Sequence, residues 1–176
     1  DANRIILGKS TYTEKDQLKA KGLGYGVNNS SPLQQCDYEY LPNGFLRRVN
    51  EVNNLGSDLF ALQLNYDQDI VGNASPQKNG NISESIWQTA GSSVPSTYSY
   101  AYDYLNRLTS ATSGTLNGTS YSLSNLFNVA LTYDARGNIE TINRRGNYAT
   151  GNASNTVIDD LNFTYEPGTN RLLQVA

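Results

Sequence analysis

Tyr100-Ala101-Tyr102-Asp103-Tyr104-Leu105-Asn106-Arg107-Leu108 is the stretch on which the reading of this chain turns. Aromatic-x-Tyr alternates with period two, so Tyr100 and Tyr102 share one face of a strand. Asp103 then opens a turn, because a carboxylate there accepts backbone N–H groups two residues on. Asn106 can adopt the left-handed conformation that closes a tight hairpin. Arg107-Leu108 begins the return strand. The unit is therefore a β-hairpin.

The pattern recurs along the chain. Tyr38-Glu39-Tyr40 leads to Asn43-Gly44-Phe45-Leu46, and Leu131-Thr132-Tyr133-Asp134 leads to Gly137-Asn138-Ile139. Phe163-Thr164-Tyr165-Glu166 leads to Thr169-Asn170-Arg171-Leu172, with a turn one residue longer through Pro167-Gly168. Tyr40, Tyr102, Tyr133 and Tyr165 are separated by 62, 31 and 32 residues, an underlying step of about 31. The wide gap holds two degenerate copies. Leu64-Asn65-Tyr66-Asp67 keeps the incoming strand, and Asn79-Gly80-Asn81-Ile82 keeps the turn and outgoing strand, continued by Ile86 and Trp87.

Composition agrees with this pattern. Of 176 residues only 38% are hydrophobic and 16% charged, so uncharged polar residues carry the chain. Ser, Thr and Asn are poor in helix interiors, whereas Tyr and Thr suit strands and Asn, Ser and Gly suit turns. The expectation is an all-β segment of roughly ten to fourteen strands, built as consecutive hairpins in one curved antiparallel sheet. Residues 1–35 form a less defined strand and loop region ahead of the repeats at 36–176. Within it Arg4–Leu7 reads as a strand, Thr13–Lys21 as a short surface helix or a loop, and Gly22–Gly26 as a breaker. Gly/Ser/Asn-rich stretches at 89–99, 112–125 and 146–156 read as loops outside the sheet.

Tyr-x-Tyr-Asp-x-x-x-Arg-Leu at Tyr100–Leu108 and Thr-Tyr-Asp-x-x-Gly-Asn-Ile at Thr132–Ile139 resemble the YD repeats of RHS proteins, Tc-toxin cocoon subunits and teneurins. Asp58–Tyr66 and Asn79–Trp87 look like segments of RHS proteins from Bacteroidota. The resemblance covers roughly residues 36–176. It implies a sheet strip that spirals into a hollow shell around a C-terminal toxin or other effector. On that basis the chain is a non-catalytic structural segment of a secreted or cell-surface protein. Its partners would be the rest of the shell, the enclosed effector and an export machinery. The family's self-cleaving aspartates are not matched before Ala176, so no cleavage activity carries over. The other reading is a cell-surface adhesin or carbohydrate-binding scaffold built on the same repeats.

Candidate chemistry is thin. The chain has no His, which removes the commonest general base and metal ligand, and Cys36 is the lone cysteine. Asp67, Asp103, Asp134 and Glu166 could suggest a glycosidase pair, but such a pair needs two different environments. These four share one slot in the repeat, which predicts one shared turn-capping role. Asp159-Asp160 and Asp67-x-Asp69 lack a full calcium-loop signature and read as surface acids. No cofactor is implied. Net charge is -3, and Arg47-Arg48 and Arg144-Arg145 are isolated pairs, unlike the basic stripe of a nucleic-acid binder. No apolar run approaches the roughly 18 residues of a membrane-spanning helix. A sheet with uncovered edges also invites pairing with other chains. The thirteen tyrosines could stack on sugars, but their regular placement favours an aromatic ladder within the sheet.

Overall fold

In a computed structural model, residues 5–26, 30–72, 74–124, 126–146 and 156–176 are described. Among them every regular element is a strand. Thirteen antiparallel strands make one sheet, with β1 and β13 as its unjoined ends. The chain clusters into two compact modules, one of residues 1–65 with 85–95, the other of 66–84 with 96–176.

The first module contains β1 (Gly8–Tyr12), β2 (Leu18–Leu23), β3 (Gln34–Tyr40), β4 (Leu46–Val49), β5 (Phe60–Asn65) and most of β6 (Glu84–Thr89). β1 pairs with β2, β2 with β3, β3 with β4 and β4 with β5, each antiparallel. The second contains β7 (Ser96–Tyr102), β8 (Leu108–Asn117), β9 (Ser120–Leu123), β10 (Val129–Tyr133), β11 (Ile139–Gly146), β12 (Thr156–Tyr165) and β13 (Leu172–Val175). Here the order is β7-β8-β10-β11-β12-β13, and β9 pairs with β8 alone. Each quoted motif thus lies where expected, across the turns β3–β4, β7–β8, β10–β11 and β12–β13.

Burial follows the polar composition. Val52, Ala61 and Ile86 in the first module, and Val71, Ala111 and Leu116 in the second, are the buried aliphatic residues. Glu84, Ser83, Thr97, Ser99 and Ser113 are as deeply covered. Unmet polar groups at such positions are costly. The Thr97 and Ser99 hydroxyls have no partner among the described residues, whereas Ser83, Glu84 and Ser113 are met by hydrogen bonds. Asn50 shows the device. Its backbone N–H and side-chain oxygen both engage Asp37 in β3, while its amide donates to the Phe60 carbonyl in β5, at 2.8 Å each. Asn128 does similar work in the second module, accepting from the Ser113 N–H and, through its backbone carbonyl, from the Arg145 N–H.

Expectations for five stretches are corrected. Thr13–Lys21 holds no helix: a tight turn at 13–17 leads straight into β2. β1 begins at Gly8, so Ile5–Leu7 precede the strand instead of forming it, and Gly22 and Leu23 lie inside β2. The stretch 112–125 is mostly strand, running through β8, a turn at Gly118 (φ 62°) and β9. Composition misled there because Ser113 is buried and bonded, and because Gly114 is required by packing. A Cβ at Gly114 would lie 2.3 Å from the Tyr121 ring. The stretch 89–99 shrinks to the six residues between β6 and β7. Most of 146–156 lies outside the described residues.

Candidate functional site

The feature common to the repeats is a row of tyrosine-closed turns. Tyr40, Tyr102, Tyr133 and Tyr165 each end an incoming strand at a register shift, opposite Leu46, Leu108, Ile139 and Leu172. The next residue donates its N–H across the turn: Leu41 to the Phe45 carbonyl, Asp103 to Arg107, Asp134 to Asn138, Glu166 to Arg171, all at 2.8–2.9 Å. Positive φ falls at Gly44 (91°), Asn106 (63°), Gly137 (91°) and Gly168 (80°). In the last turn the left-handed residue is Gly168, and Asn170 is left to make side-chain contacts.

Asp103 and Asp134 cap their turns as expected. Asp103 Oδ1 accepts the N–H groups of Leu105 (2.9 Å) and Arg107 (3.0 Å), and Oδ2 accepts Arg107 Nε at 2.6 Å. Asp134 Oδ1 accepts from Arg136 and Asn138, and Oδ2 accepts Asn138 Nδ2 at 2.9 Å. Desolvation pushes the Asp103 carboxyl upward, but bonds from Arg107 and Leu105 and the guanidinium charge outweigh it, leaving the pKa lowered. For Asp134 the Asn138 side-chain bond leads, opposed by desolvation and aided by backbone N–H groups, with the same result. Two carboxylates shifted the same way differ from an acid and base pair, whose values are driven apart. Glu166 departs from this role: its carboxylate pairs with Arg171 at 2.7 Å and takes no turn amide.

Successive hairpins are stitched together at the same points. The Tyr40 hydroxyl donates to the Leu18 carbonyl (3.0 Å), Tyr102 to Ile82 (2.8 Å), Tyr133 to Leu108 (2.7 Å) and Tyr165 to Ile139 (2.9 Å). Every acceptor is the first apolar residue after the preceding turn. Turn touches turn as well. Gln17 reaches the Gly44 carbonyl at 3.2 Å, Arg107 the Asp134 carbonyl at 3.1 Å, and Asn138 the Asn170 side chain at 3.1 Å. The Arg107 guanidinium also lies 4.6 Å from the Tyr133 ring centre, within cation–π range. Sequence reasoning anticipated tyrosines in a row. It missed that hydroxyl-to-carbonyl bonds join them, since a backbone acceptor leaves no mark in residue types. Ring stacking is recorded within one strand, Tyr98 on Tyr100 at 6.0 Å.

One further hairpin turn went unread. Tyr12-Thr13-Glu14-Lys15-Asp16-Gln17-Leu18 has the same geometry, with Tyr12 opposite Leu18 at a register shift and Asp16 at φ 58°. Thr13 Oγ1 replaces the carboxylate, accepting from Lys15 and Gln17 at 3.2 Å each. The Tyr-x-x-x-x-x-Leu spacing was the available signal, hidden by Thr in the acid slot.

The degenerate copies behave differently. Tyr66 follows β5 and burial raises its pKa, while Asp67 is exposed and caps no turn among the described residues. The chain makes an excursion before Gly80 (φ 96°), where Asn79 Oδ1 supplies the cap to the Asn81 N–H at 3.1 Å. Asn79 and Asn81 both reach Asn106 in the next turn. Tyr38, in β3, helps line an open cleft of about 610 Å³ with Tyr12, Lys15, Gln17, Glu39 and Tyr40.

Arg47, Arg48 and Arg144 each meet an acid. Arg47 and Arg48 both reach Glu39, Arg48 also reaches Glu51, and Arg144 pairs with Asp159 across β11 and β12. Asp160 accepts from Asn143 and Asp69 from the Ala74 N–H, at 3.1 Å each. Among the described residues no group of three or more His, Cys, Asp or Glu could hold a metal ion. Nor is any helix there long and apolar enough to cross a membrane. No protein-family model matches the chain, and no curated protein does.

Proposed function

We propose that this chain is a non-catalytic wall segment of an exported RHS-type repeat shell, of the Bacteroidota kind, which encloses or delivers a C-terminal effector. The observation that carries the reading is the recurring bond from each of these motif tyrosines to the first apolar residue after the preceding turn. A unit that grips its predecessor at a fixed point can be added repeatedly, which is what a long, curving wall requires. Asp103 and Asp134 are spent on turns and Glu166 on an ion pair, in keeping with a structural role. The remainder of the shell, the effector and an export machinery are the partners, and the protein acts outside the cell or at its surface.

Limited proteolysis of the full-length protein tests this. The C-terminal effector should resist cleavage in the intact protein and become sensitive when residues 96–176 are deleted. Equal sensitivity in both forms would sink the shell reading.

The cleft of about 610 Å³ bordered by Tyr12, Tyr38 and Tyr40 favours the second reading, a surface scaffold that holds sugars. Glycan binding that disappears in Tyr38→Ala, with fold retained, would put that reading first.

A further inference from the structure

Three Asn-Gly pairs occur in the chain, at Asn43-Gly44, Asn79-Gly80 and Asn117-Gly118. This dipeptide is chemically labile, because glycine, lacking a Cβ, leaves its backbone nitrogen free to attack the side-chain amide before it. The reaction needs that nitrogen to give up its proton and the side chain to swing onto it. The fold treats the three pairs differently.

Two are held. Gly44 donates its N–H to the Leu41 carbonyl at 2.8 Å, and Asn43 Oδ1 accepts from the Phe45 N–H at 3.1 Å. Asn79 is fixed at both ends of its amide: Oδ1 accepts the Asn81 N–H, and Nδ2 donates to Asn106 Oδ1. Asn117 has neither restraint. It is the last residue of β8, paired with Ser120 across a two-residue loop in which Gly118 alone has positive φ, 62°. That is the type II′ hairpin pattern. Asn117 and Gly118 are exposed, and among the described residues neither the Asn117 side chain nor the Gly118 N–H has a partner. Nothing lies within 4 Å of where a Gly118 Cβ would stand. Among the described strands β9 is bound to β8 alone, so the end of this hairpin opens at low cost.

We propose that Asn117 is a site of spontaneous deamidation, and that its isoaspartate product releases β9. The Gly118 nitrogen loses its proton to water or hydroxide and bonds to Asn117 Cγ. The Cγ–Nδ2 bond breaks, and the leaving nitrogen takes a proton from solvent to depart as ammonia. A cyclic imide remains. Water then opens it at Cγ to give aspartate, or at the backbone carbonyl carbon to give isoaspartate. Isoaspartate carries the main chain through Cγ, one carbon longer, so the two-residue loop no longer sets Leu116 opposite Tyr121. The inference rests on the bonding at these three turns and stands apart from the shell reading.

The intact chain is incubated at mildly alkaline pH, digested with trypsin beside an unincubated control, and read by mass spectrometry with electron-transfer fragmentation. The three pairs fall in separate fragments, 22–47, 79–107 and 108–136. Aspartate and isoaspartate are expected at Asn117, with Asn43 and Asn79 at least about tenfold slower, the factor set by first breaking one or two hydrogen bonds. In urea, with the fold gone, the three rates should come within about threefold of one another. Amide exchange at 120–123 should quicken in the isoaspartate form, and Asn117→Gln should remove both effects. An Asn117 no faster than the other two, or a preference for it that survives in urea, overturns the site. Unchanged exchange overturns the release of β9.

Discussion

Two parts of the second module solve the same problem differently. At the β10–β11 turn, Asp134 satisfies the N–H groups of Arg136 and Asn138 within four residues of itself. In the excursion after Tyr66 the strand ends are held by longer reaches. Gln77 donates its N–H to the Tyr66 carbonyl at 2.6 Å, and the Ser83 hydroxyl to the Gln68 carbonyl at 2.9 Å. The Glu84 carboxylate, fully buried, accepts the N–H groups of Ile70 (3.0 Å) and Val71 (3.1 Å). The local carboxylate cap has been exchanged for a buried one supplied from the return strand. A hairpin repeat therefore tolerates a long insertion at its turn, provided some acid still meets the freed backbone donors. The cost is dependence on one covered side chain.

Glu84→Ala should break this comparison most sharply. It leaves two amides at a covered site without their acceptor, a loss of about 3 kcal/mol. Urea unfolding read by circular dichroism should show a lowered midpoint; an unchanged midpoint would mean the excursion does not depend on Glu84. Gly114→Ala comes next, at about 2 kcal/mol, because the new methyl must displace the Tyr121 ring and the Ser122 carbonyl.

Tyr133→Phe should cost about 1 kcal/mol, the net value of the bond to Leu108. Tyr12→Phe should cost close to nothing, because among the described residues its exposed hydroxyl has no partner. Equal effects from the two would show that ring packing, and not the hydroxyl bond, joins the hairpins. The smallest effect concerns pH. Asp103 and Asp134 have folded-state pKa values below the ordinary 3.8 of an aspartate, so their contribution is present above that value and fades as pH falls through the lowered ones. Asp103→Asn with Asp134→Asn should flatten the acid limb of a stability–pH curve.

The hairpins, their turns and the capping role of Asp103 and Asp134 were legible because they are local. A carboxylate meets an amide two residues away, and an Asn or Gly takes positive φ, whatever the rest of the chain does. Tyr12–Leu18 follows the same rule and escaped only because Thr13 stands where an acid was sought. Asp67 marks the opposite failure, a residue in the right slot whose turn amides the insertion has moved away.

Residue order and spacing alone settled that this is an antiparallel β chain of consecutive hairpins, since strand alternation and turn chemistry act within a few residues. The tertiary structure decided which carbonyl each tyrosine hydroxyl meets, that Ser- and Gly-rich 112–125 is strand, and that Glu84 holds the excursion. Those outcomes join residues far apart in sequence, and many of the groups they use are backbone N–H and C=O, which every residue carries alike.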